Sequence, residues 1–267
     1  MLEPALFQTP LNVTDQVNRR VAVPYPPQRI LSLVPSQTEL LYDLGLRARV
    51  VGVTKFCIHP SQARQQAIII GGTKNFDFEK IAALQPDLIL GNKEENYQEG
   101  IEQLAKQYPV WLSDISTLDE ALRMIRQVGM LTATQAKAEA LTTEISNSFT
   151  NLAPTTSLVS AAYFIWRKPY MVAASNTFID DMLARAGFRN AFAAQSRYPE
   201  IPREQLAAAA PQVIFLSSEP YPFKEKHVAE FAEMCPTAAI RIVDGELFSW
   251  YGSRLRYSAA YFRELHP

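Results

Sequence analysis

The sequence lacks several features that would assign it to a class of protein. Its two cysteines, Cys57 and Cys235, lie far apart in the chain, so we expect no disulfide framework. Its 26 lysines and arginines are balanced by 27 aspartates and glutamates, which excludes a cationic surface for nucleic acid. No apolar run reaches the roughly 18 residues of a membrane-spanning helix. The composition therefore indicates a folded protein that neither binds nucleic acid nor spans a membrane.

Motifs for catalysis are missing as well. The chain has no GxSxG, no P-loop and no GxGxxG sequence, and its three histidines, His59, His227 and His266, are scattered. A catalytic site needs a nucleophile, a base and an orienting group within reach of one another. We therefore predict that the protein is not an enzyme and requires no cofactor.

The N-terminal segment MLEPALFQTPLNVTDQVNRR gives little information on location. It has no basic start, no continuous apolar stretch, no small-residue cleavage site and no cysteine for lipidation, so it carries no export signal as written. Two interpretations stay open. Either the protein works in the cytoplasm, or a leader was removed before this sequence begins.

A repeated segment is the main feature that the chain does have. Residues 77–95 read DFEKIAALQPDLILGNKEE and residues 202–220 read PREQLAAAAPQVIFLSSEP, and matched positions such as Glu79 and Glu204 are 125 residues apart. Each copy predicts a short helix, a proline that ends it, and a strand that is apolar on both faces. Two copies in 267 residues predict two similar lobes, with a ligand cleft between them.

The rest of the chain predicts an α/β fold. Apolar strands alternate with helices around both copies, which indicates mostly parallel sheets covered on both faces. A weaker second match relates LLYDLGLR at residues 40–47 to MLARAGFR at residues 182–189.

One long helix is predicted between the lobes. Apolar residues recur at helical spacing from Leu118 to about Leu152, no proline interrupts them, and Thr117 with Glu120 forms a capping box. Gly129 and the threonines of residues 132–134 leave open the alternative of two packed helices. We therefore expect an N-terminal lobe at residues 1–116, a connecting helix at 117–152 and a C-terminal lobe at 153–267.

The order of five motifs resembles a known family. The motifs are VTDQVNRRVAVPYPPQRILSLVPSQTELLYDLGL, VVGVTKFCIHP, GGTKN followed by EKIAALQPDLIL, TFIDDMLARAGF and REQLAAAAPQVI. This order resembles the class III substrate-binding proteins of ABC importers, the helical-backbone receptors for cobalamin, ferric siderophores and haem, with the cobalamin branch most similar. The resemblance covers nearly the whole chain from Val13. It implies two α/β lobes on one rigid helix, a ligand in the cleft, and a monomer in the periplasm or at the cell surface.

The resemblance also implies a protein partner. In that family a glutamate on each lobe docks onto arginines of a dimeric ABC permease, and these glutamates match Glu79 and Glu204. A two-fold permease presents the same basic socket twice, and a duplicated lobe supplies the same acidic group twice. The alternative is that both glutamates are solvated residues favoured by the helix dipole.

Loops at the carboxyl ends of the predicted strands supply the candidate ligand-binding residues. Their flat aromatic faces suit a corrin or porphyrin, and their polar groups suit its side arms, unless these side chains pack within the lobes or are solvated. The candidates are Phe56, His59, Lys74, Asn92, Trp166, Tyr170, Tyr221, Trp250, Tyr251 and Arg254. Cys57 and His59 are also candidates for a soft metal, or His59 for the axial position of cobalt or iron, although two ligands do not complete a zinc site.

The chain departs from the cobalamin receptors at two loops. Those receptors have tryptophans near the positions of Gly71–Asn75 and after the Ile89-Leu90 strand, where this chain has Thr73-Lys74 and Asn92-Lys93. Charged groups in place of part of an aromatic clamp leave room for an anionic metal chelate beside a corrin. We therefore expect a receptor for a metal chelate, cobalamin, another tetrapyrrole or a ferric siderophore. The alternative is a cytoplasmic protein of the same fold that binds or senses a cofactor and has no transporter partner.

Overall fold

The computed structural model describes residues 9–152 and 159–265, and these divide into two compact units. Unit 1 holds the described residues up to Asp114 together with Leu122–Thr143. Unit 2 holds Ile115–Ala121 and the described residues from Glu144 onward. The predicted lobe boundary at residue 153 lies outside the described residues.

Unit 1 is built on a five-stranded parallel sheet. The unit as a whole has nine strands among its described residues. They are β1 (Leu11–Thr14), β2 (Arg20–Val23), β3 (Ile30–Ser32), β4 (Val50–Val53), β5 (Ile68–Ile69), β6 (Gly71–Gly72), β7 (Asn75–Phe76), β8 (Leu88–Asn92) and β9 (Val110–Ser113). Its helices are α1 (Pro35–Asp43), α2 (Ala63–Gln66), α3 (Phe78–Leu84) and α4 (Gln98–Ala105), with a 3-10 turn at Arg47–Arg49. The parallel sheet has the order β5-β4-β3-β8-β9, while β1 with β2 and β6 with β7 form two separate antiparallel pairs.

Burial in unit 1 follows the apolar pattern of its strands. Every residue of β3, β8 and β9 is buried, because helices and loops cover both faces of a parallel sheet. The edge strand β5 is the exception, since Ile68 and Ile69 are 50% and 39% exposed.

The predicted single helix between the lobes is wrong, and the alternative of two packed helices is confirmed. The segment forms α5 (Leu118–Leu131) and α6 (Gln135–Thr150). Between them Ala133 takes a left-handed conformation with φ 58°, and Thr134 N donates to Gly129 O at 2.7 Å. A side chain on Gly129 would clash with Ala138, so the glycine is what lets the two helices approach. The predicted capping box is present, because Glu120 N lies 3.3 Å from Thr117 Oγ1 and Thr117 N lies 3.1 Å from Glu120 Oε2.

Unit 2 has a second parallel sheet. Its strands are β10 (Val159–Trp166), β11 (Met171–Val172), β12 (Phe188–Asn190), β13 (Val213–Ser217) and β14 (Ala239–Val243). Its helices are α7 (Phe178–Arg185), α8 (Arg203–Ala209), α9 (Val228–Met234), α10 (Glu246–Ser249) and α11 (Leu255–Glu264), with a 3-10 turn at Glu225–His227. Strands β12, β10, β13 and β14 are parallel in that order, and β11 pairs antiparallel with β10.

The repeated segment folds in the same way in both units. Helix α3 ends at Gln85 and α8 ends at Ala210, and both residues are left-handed, with φ 45° and 42°. The strands that follow, β8 and β13, begin at equivalent positions and lie second from the end of their sheets. The weaker match is repeated too, since Gly45 after α1 and Gly187 after α7 have φ 84° and 82°. Strands β4-β3-β8-β9 of unit 1 therefore correspond to β12-β10-β13-β14 of unit 2.

Candidate functional site

In unit 1 the carboxyl ends of β8 and β9 carry a buried polar network centred on Asn92. Its Oδ1 accepts from the backbone N–H groups of Glu94 and Glu95 at 2.8 and 3.0 Å. Its Nδ2 donates to Ser113 Oγ at 3.0 Å and Ser113 O at 3.3 Å, and the side chain is almost fully buried. All its donors and acceptors are therefore used within the protein. The predicted ligand contact through Asn92 is corrected accordingly: this side chain holds the loop after β8.

Lys74 ties two loops of unit 1 together. Its Nζ donates to Glu94 O at 2.7 Å and lies 3.3 Å from Asn96 O, although most of the side chain is exposed. Lys93 lies on the neighbouring loop and pairs with Asp114 at 2.6 Å. Lys74 remains available for a ligand only if one of its carbonyl contacts is exchanged, so its predicted role is untested.

The loop after β4 contains one exposed aromatic and one buried thiol. Phe56 is 49% exposed, with Lys55 Nζ 5.1 Å from its ring centre, so its face is open to a partner. Cys57 is fully buried, with Sγ 3.0 Å from Thr38 Oγ1 and 3.3 Å from Thr54 Oγ1. Burial raises the pKa of the Cys57 thiol and so disfavours the thiolate that binds metals.

The predicted metal pair is therefore corrected. Cys57 is a structural thiol inside unit 1, whereas His59 is half-buried two residues further on. Nowhere in residues 9–152 and 159–265 do three His, Cys, Asp or Glu side chains form a group that could hold a metal ion. A role for His59 at an axial position stays a prediction.

In unit 2 the carboxyl end of β10 presents an aromatic pair. Trp166 is 39% exposed and packs edge-on against Tyr221, with ring centres 5.6 Å apart. The indole Nε1 donates to Lys168 O at 3.1 Å, and this contact holds the ring across the turn between β10 and β11. Trp166 and Tyr221, both candidate ligand contacts, therefore pack together, with the Trp166 ring exposed and Tyr221 half-buried. Their contact with a ligand stays a prediction.

Tyr170 lies beside this pair and is held by Glu230 of α9. The Tyr170 hydroxyl donates to Glu230 Oε1, while Arg167 Nε and Nη2 lie 2.8 and 2.6 Å from Glu230 Oε2. Burial and the Glu230 carboxylate raise the pKa of Tyr170 to about 12, so its phenol stays neutral. Burial alone would raise the pKa of Glu230, but the hydrogen bonds from Tyr170 and Arg167 outweigh it and lower that pKa.

A second polar cluster of unit 2 is centred on Glu219, just after β13. Its Oε1 accepts from Ser249 Oγ at 2.7 Å and from Trp250 Nε1 at 2.9 Å. The Arg254 guanidinium lies 5.0 Å from the centre of the Trp250 ring and pairs with Glu246 at 3.0 Å. Burial raises the pKa of Glu219, even though the two hydrogen bonds favour its charged form.

Two of the predicted stacking residues are occupied inside unit 2. Trp250 is only 7% exposed, with its N–H on Glu219 and Arg254 over its ring. Tyr251 is buried edge-on against Phe178, with ring centres 5.9 Å apart. The predictions that Trp250 and Tyr251 offer open faces to a ligand are therefore corrected. Arg254 is held by the same cluster and is mostly buried, so it positions Trp250.

The two repeated glutamates lie at equivalent, exposed positions. Glu79 is in the first turn of α3 and Glu204 is in the first turn of α8. Their immediate neighbours differ: Asp77 caps α3 through Lys80 N at 3.1 Å, whereas α8 begins at Pro202 with no side-chain cap. Their exposure is compatible with docking to a partner, and the docking role stays a prediction.

One organising residue of the site carries no signal in the sequence. Glu230 holds both Arg167 and Tyr170, but it lies 60 residues from Tyr170 in the chain, on a short helix with no motif. The packing of Phe231 of α9 against Phe164 of β10 and against Tyr170 is what brings Glu230 there. Ser113, which completes the network around Asn92 together with Gln37, likewise carries no signal in the sequence.

The comparisons with known proteins agree with this architecture. The periplasmic binding protein family matches residues 30–239, and the chain therefore belongs to this family. The vitamin B12-binding protein of Pectobacterium carotovorum subsp. carotovorum (strain PC1) is 28% identical over 240 residues, covering 87% of this chain and 86% of its own. The family and this relative are binding proteins, which confirms the prediction that the chain is not an enzyme.

Two solved structures share the fold. The periplasmic vitamin B12 binding protein of Vibrio cholerae matches with a TM-score of 0.77 at 23% identity, over 89% of this chain and 95% of that one. A periplasmic heme-binding protein from Roseiflexus sp. RS-1 in apo form matches with a TM-score of 0.76 at 23% identity, over 89% and 98%. At this identity the likeness shows the fold alone, and it confirms the predicted two-lobed α/β class with parallel sheets. Among the described residues, no helix has the length and apolarity needed to cross a bilayer.

Proposed function

We propose that this chain is the substrate-binding component of an ABC importer and that its cargo is a metal chelate. The observation that carries the proposal is membership of the periplasmic binding protein family together with the duplicated α/β unit. A vitamin B12-binding relative that spans most of the chain supports a chelate over a simple ion or sugar. The proposal includes a periplasmic or cell-surface location, because that is where such receptors meet their permease.

The exposed aromatics define what kind of cargo suits the protein. Phe56 in unit 1 and Trp166 in unit 2, which packs on the half-buried Tyr221, offer exposed apolar faces at the carboxyl ends of parallel strands. Cationic side chains accompany them, since Lys55 lies over Phe56 and Arg167 and Lys168 follow Trp166. A flat or oxygen-rich chelate, such as a tetrapyrrole or a ferric siderophore, satisfies both kinds of contact.

A ligand titration tests the cargo. Purified protein is titrated with cyanocobalamin, haemin and a set of ferric siderophores, and binding is followed by absorbance of the chelate. We expect at least one of these to bind at micromolar concentration or tighter, because the affinity must capture a scarce nutrient. Absence of binding by all of them would remove the chelate proposal.

Docking is tested separately. Glu79→Lys and Glu204→Lys are compared in delivery of a bound chelate to a reconstituted permease, with Glu99→Lys as a matched variant in the first turn of α4. We expect both repeat variants to reduce delivery while chelate binding is retained, because each reverses one charge of a paired contact. The double variant Glu79→Lys/Glu204→Lys is measured as well, and unchanged delivery by it would end the docking proposal.

A further inference from the structure

Unit 2 contains a pocket that shares Arg167, Lys168 and Tyr170 with the surface described above. Its volume is about 630 Å³, and its walls come from two stretches of chain. The lining residues are Arg167, Lys168, Pro169, Tyr170, Glu200, Ile201, Pro202 and Arg203. Three cationic side chains therefore line the pocket against one carboxylate, in a chain whose net charge is −1.

The backbone brings these cations together in a defined way. Arg167 and Lys168 lie at the turn of the hairpin formed by β10 and β11. The segment before α8 then runs antiparallel to β11, because Ile201 N donates to Tyr170 O at 2.8 Å and Val172 N donates to Pro199 O at 3.2 Å. Arg203 follows Ile201 by two residues, so the second wall of the pocket is fixed by backbone hydrogen bonds.

Glu230 fixes two lining residues, Arg167 and Tyr170, but does not pair with the other cations of the pocket. Its two carboxylate oxygens are taken by the Tyr170 hydroxyl and by Nε and Nη2 of Arg167, and Arg167 also interacts with Tyr221, so the charge of Arg167 is compensated within the unit. Tyr170 packs against Phe231 with ring centres 5.4 Å apart, and Ile201 is buried beneath the pocket. The floor is therefore apolar and rigid, and the pKa of about 12 keeps the phenol neutral.

The remaining two cations have little internal compensation. Across the described parts of the chain, Lys168 forms no ion pair, and Arg203 approaches only Glu233, at 4.0 Å with both side chains exposed. An exposed pair at that distance contributes little. Glu200 is the single carboxylate on the lining, so the pocket keeps an excess of positive charge.

We propose that this pocket binds a carboxylate-bearing anion. The guanidinium fork of Arg203 matches the geometry of a carboxylate, and Lys168 adds a second charge across the pocket. The volume suits a polycarboxylate better than a single small ion. The proposal rests on the proposed function in one respect: the anion is the chelate itself, so the cargo is an anionic, carboxylate-bearing chelate and not a corrin rimmed with amides.

Charge reversal at the two exposed cations tests this assignment. The variant Lys168→Glu/Arg203→Glu is compared with Arg189→Glu/Arg263→Glu, which makes the same charge change at two exposed arginines of unit 2 outside the pocket. The probes are citrate, by calorimetry at low and high NaCl, and ferric citrate, haemin and cyanocobalamin, by absorbance. Thermal unfolding of each variant is measured alongside, and Lys168→Gln serves if the double variant does not fold.

We expect the pocket variant to bind citrate about tenfold more weakly than the control variant, or worse, because two attractive charges become repulsive. We also expect wild-type binding of citrate to weaken as salt rises, and the anionic chelates to follow citrate. Equal citrate affinity in the two variants, or no citrate binding by the wild type, would overturn the assignment.

The two proposals fail in different ways. If a chelate binds the wild type and the pocket variant equally, the pocket assignment is wrong and the receptor function stands. If citrate binds in a pocket-dependent manner while no metal chelate binds, the pocket assignment stands without its link to the cargo, and the receptor function is wrong. If cyanocobalamin binds with no effect of the pocket variant and the anionic chelates do not bind, the anionic class of cargo is wrong.

Discussion

Asn92 at the end of β8 and Ser217 at the end of β13 occupy matching positions of the two units, and each caps the turn that follows. Asn92 uses an amide to hold the N–H groups of two residues, whereas Ser217 Oγ lies 3.3 Å from Glu219 N and 2.6 Å from Glu219 O. The polar side chains around the two caps differ more. In unit 1 they are Ser113 and Gln37, which are neutral, whereas in unit 2 they are Trp250 and the carboxylate of Glu219. The repeat has therefore kept its backbone turn while its polar side chains have diverged.

The largest expected effect comes from removing the two caps. Asn92→Ala removes the acceptor of the partly buried Glu94 and Glu95 N–H groups and one of the partners of Ser113, so we expect a loss of about 3 kcal/mol in the free energy of unfolding. Ser217→Ala leaves the buried Tyr163 hydroxyl, 3.1 Å away, without its acceptor, and we expect about 1–2 kcal/mol. Urea unfolding of both variants measures the difference. If Ser217→Ala lost more free energy of unfolding than Asn92→Ala, the number of hydrogen bonds that each cap makes would not explain its contribution to stability.

A smaller expected effect is a pH dependence of stability, which the cluster around Glu219 in unit 2 has and the neutral network around Asn92 in unit 1 lacks. Burial raises the pKa of Glu219 above its ordinary value of 4.5, so the folded state binds this proton more tightly than the unfolded state. Stability from this group is therefore greatest at low pH and is lost as pH rises through the raised pKa. Glu219→Gln keeps an acceptor for Ser249 and Trp250 but cannot ionise.

We therefore expect Glu219→Gln to gain stability relative to the wild type as pH rises from about 5 to about 8. Urea unfolding at several pH values measures this, with the exposed Glu204→Gln as a matched control. A stability difference that is constant with pH would show that Glu219 does not titrate differently on folding.

The smallest effect concerns the shared backbone. Gln85 and Ala210 are left-handed at the ends of α3 and α8, a conformation that disfavours residues with a Cβ. We expect Gln85→Gly and Ala210→Gly each to raise the free energy of unfolding by roughly 0.5 kcal/mol, since relief of strain exceeds the added chain entropy. Thermal or urea unfolding measures both. If one variant gained and the other lost free energy of unfolding, the two helix ends would not be equivalent.

The duplicated unit could be predicted from the sequence because its signals are local. A helix, a proline and an apolar strand recur at one spacing, and glycines such as Gly45 and Gly187 mark the helix ends. The break between α5 and α6 was harder, because apolar residues continue at helical spacing through both. What separates them is the contact that Gly129 permits with Ala138, which depends on packing and not on the local pattern.

The site could be predicted only in outline. Strand ends gave the candidate loops, and Trp166 and Tyr221 lie together there, with Trp166 exposed. Trp250 was indistinguishable from Trp166 in the sequence, yet it is buried because Glu219, 31 residues away, accepts its N–H. Partners at such separations are set by the fold, so the sequence alone does not tell an accessible aromatic from an occupied one.

The short edge strand β5 bears on how this protein behaves at high concentration. Ile68 and Ile69 are about half exposed on its two faces, and among the described residues no strand pairs with the outer side of its backbone. Because β5 has only two residues, a second molecule adding a strand there would gain very few ladder bonds. Lengthening this strand would remove that safeguard and favour fibre-like association through the sheet.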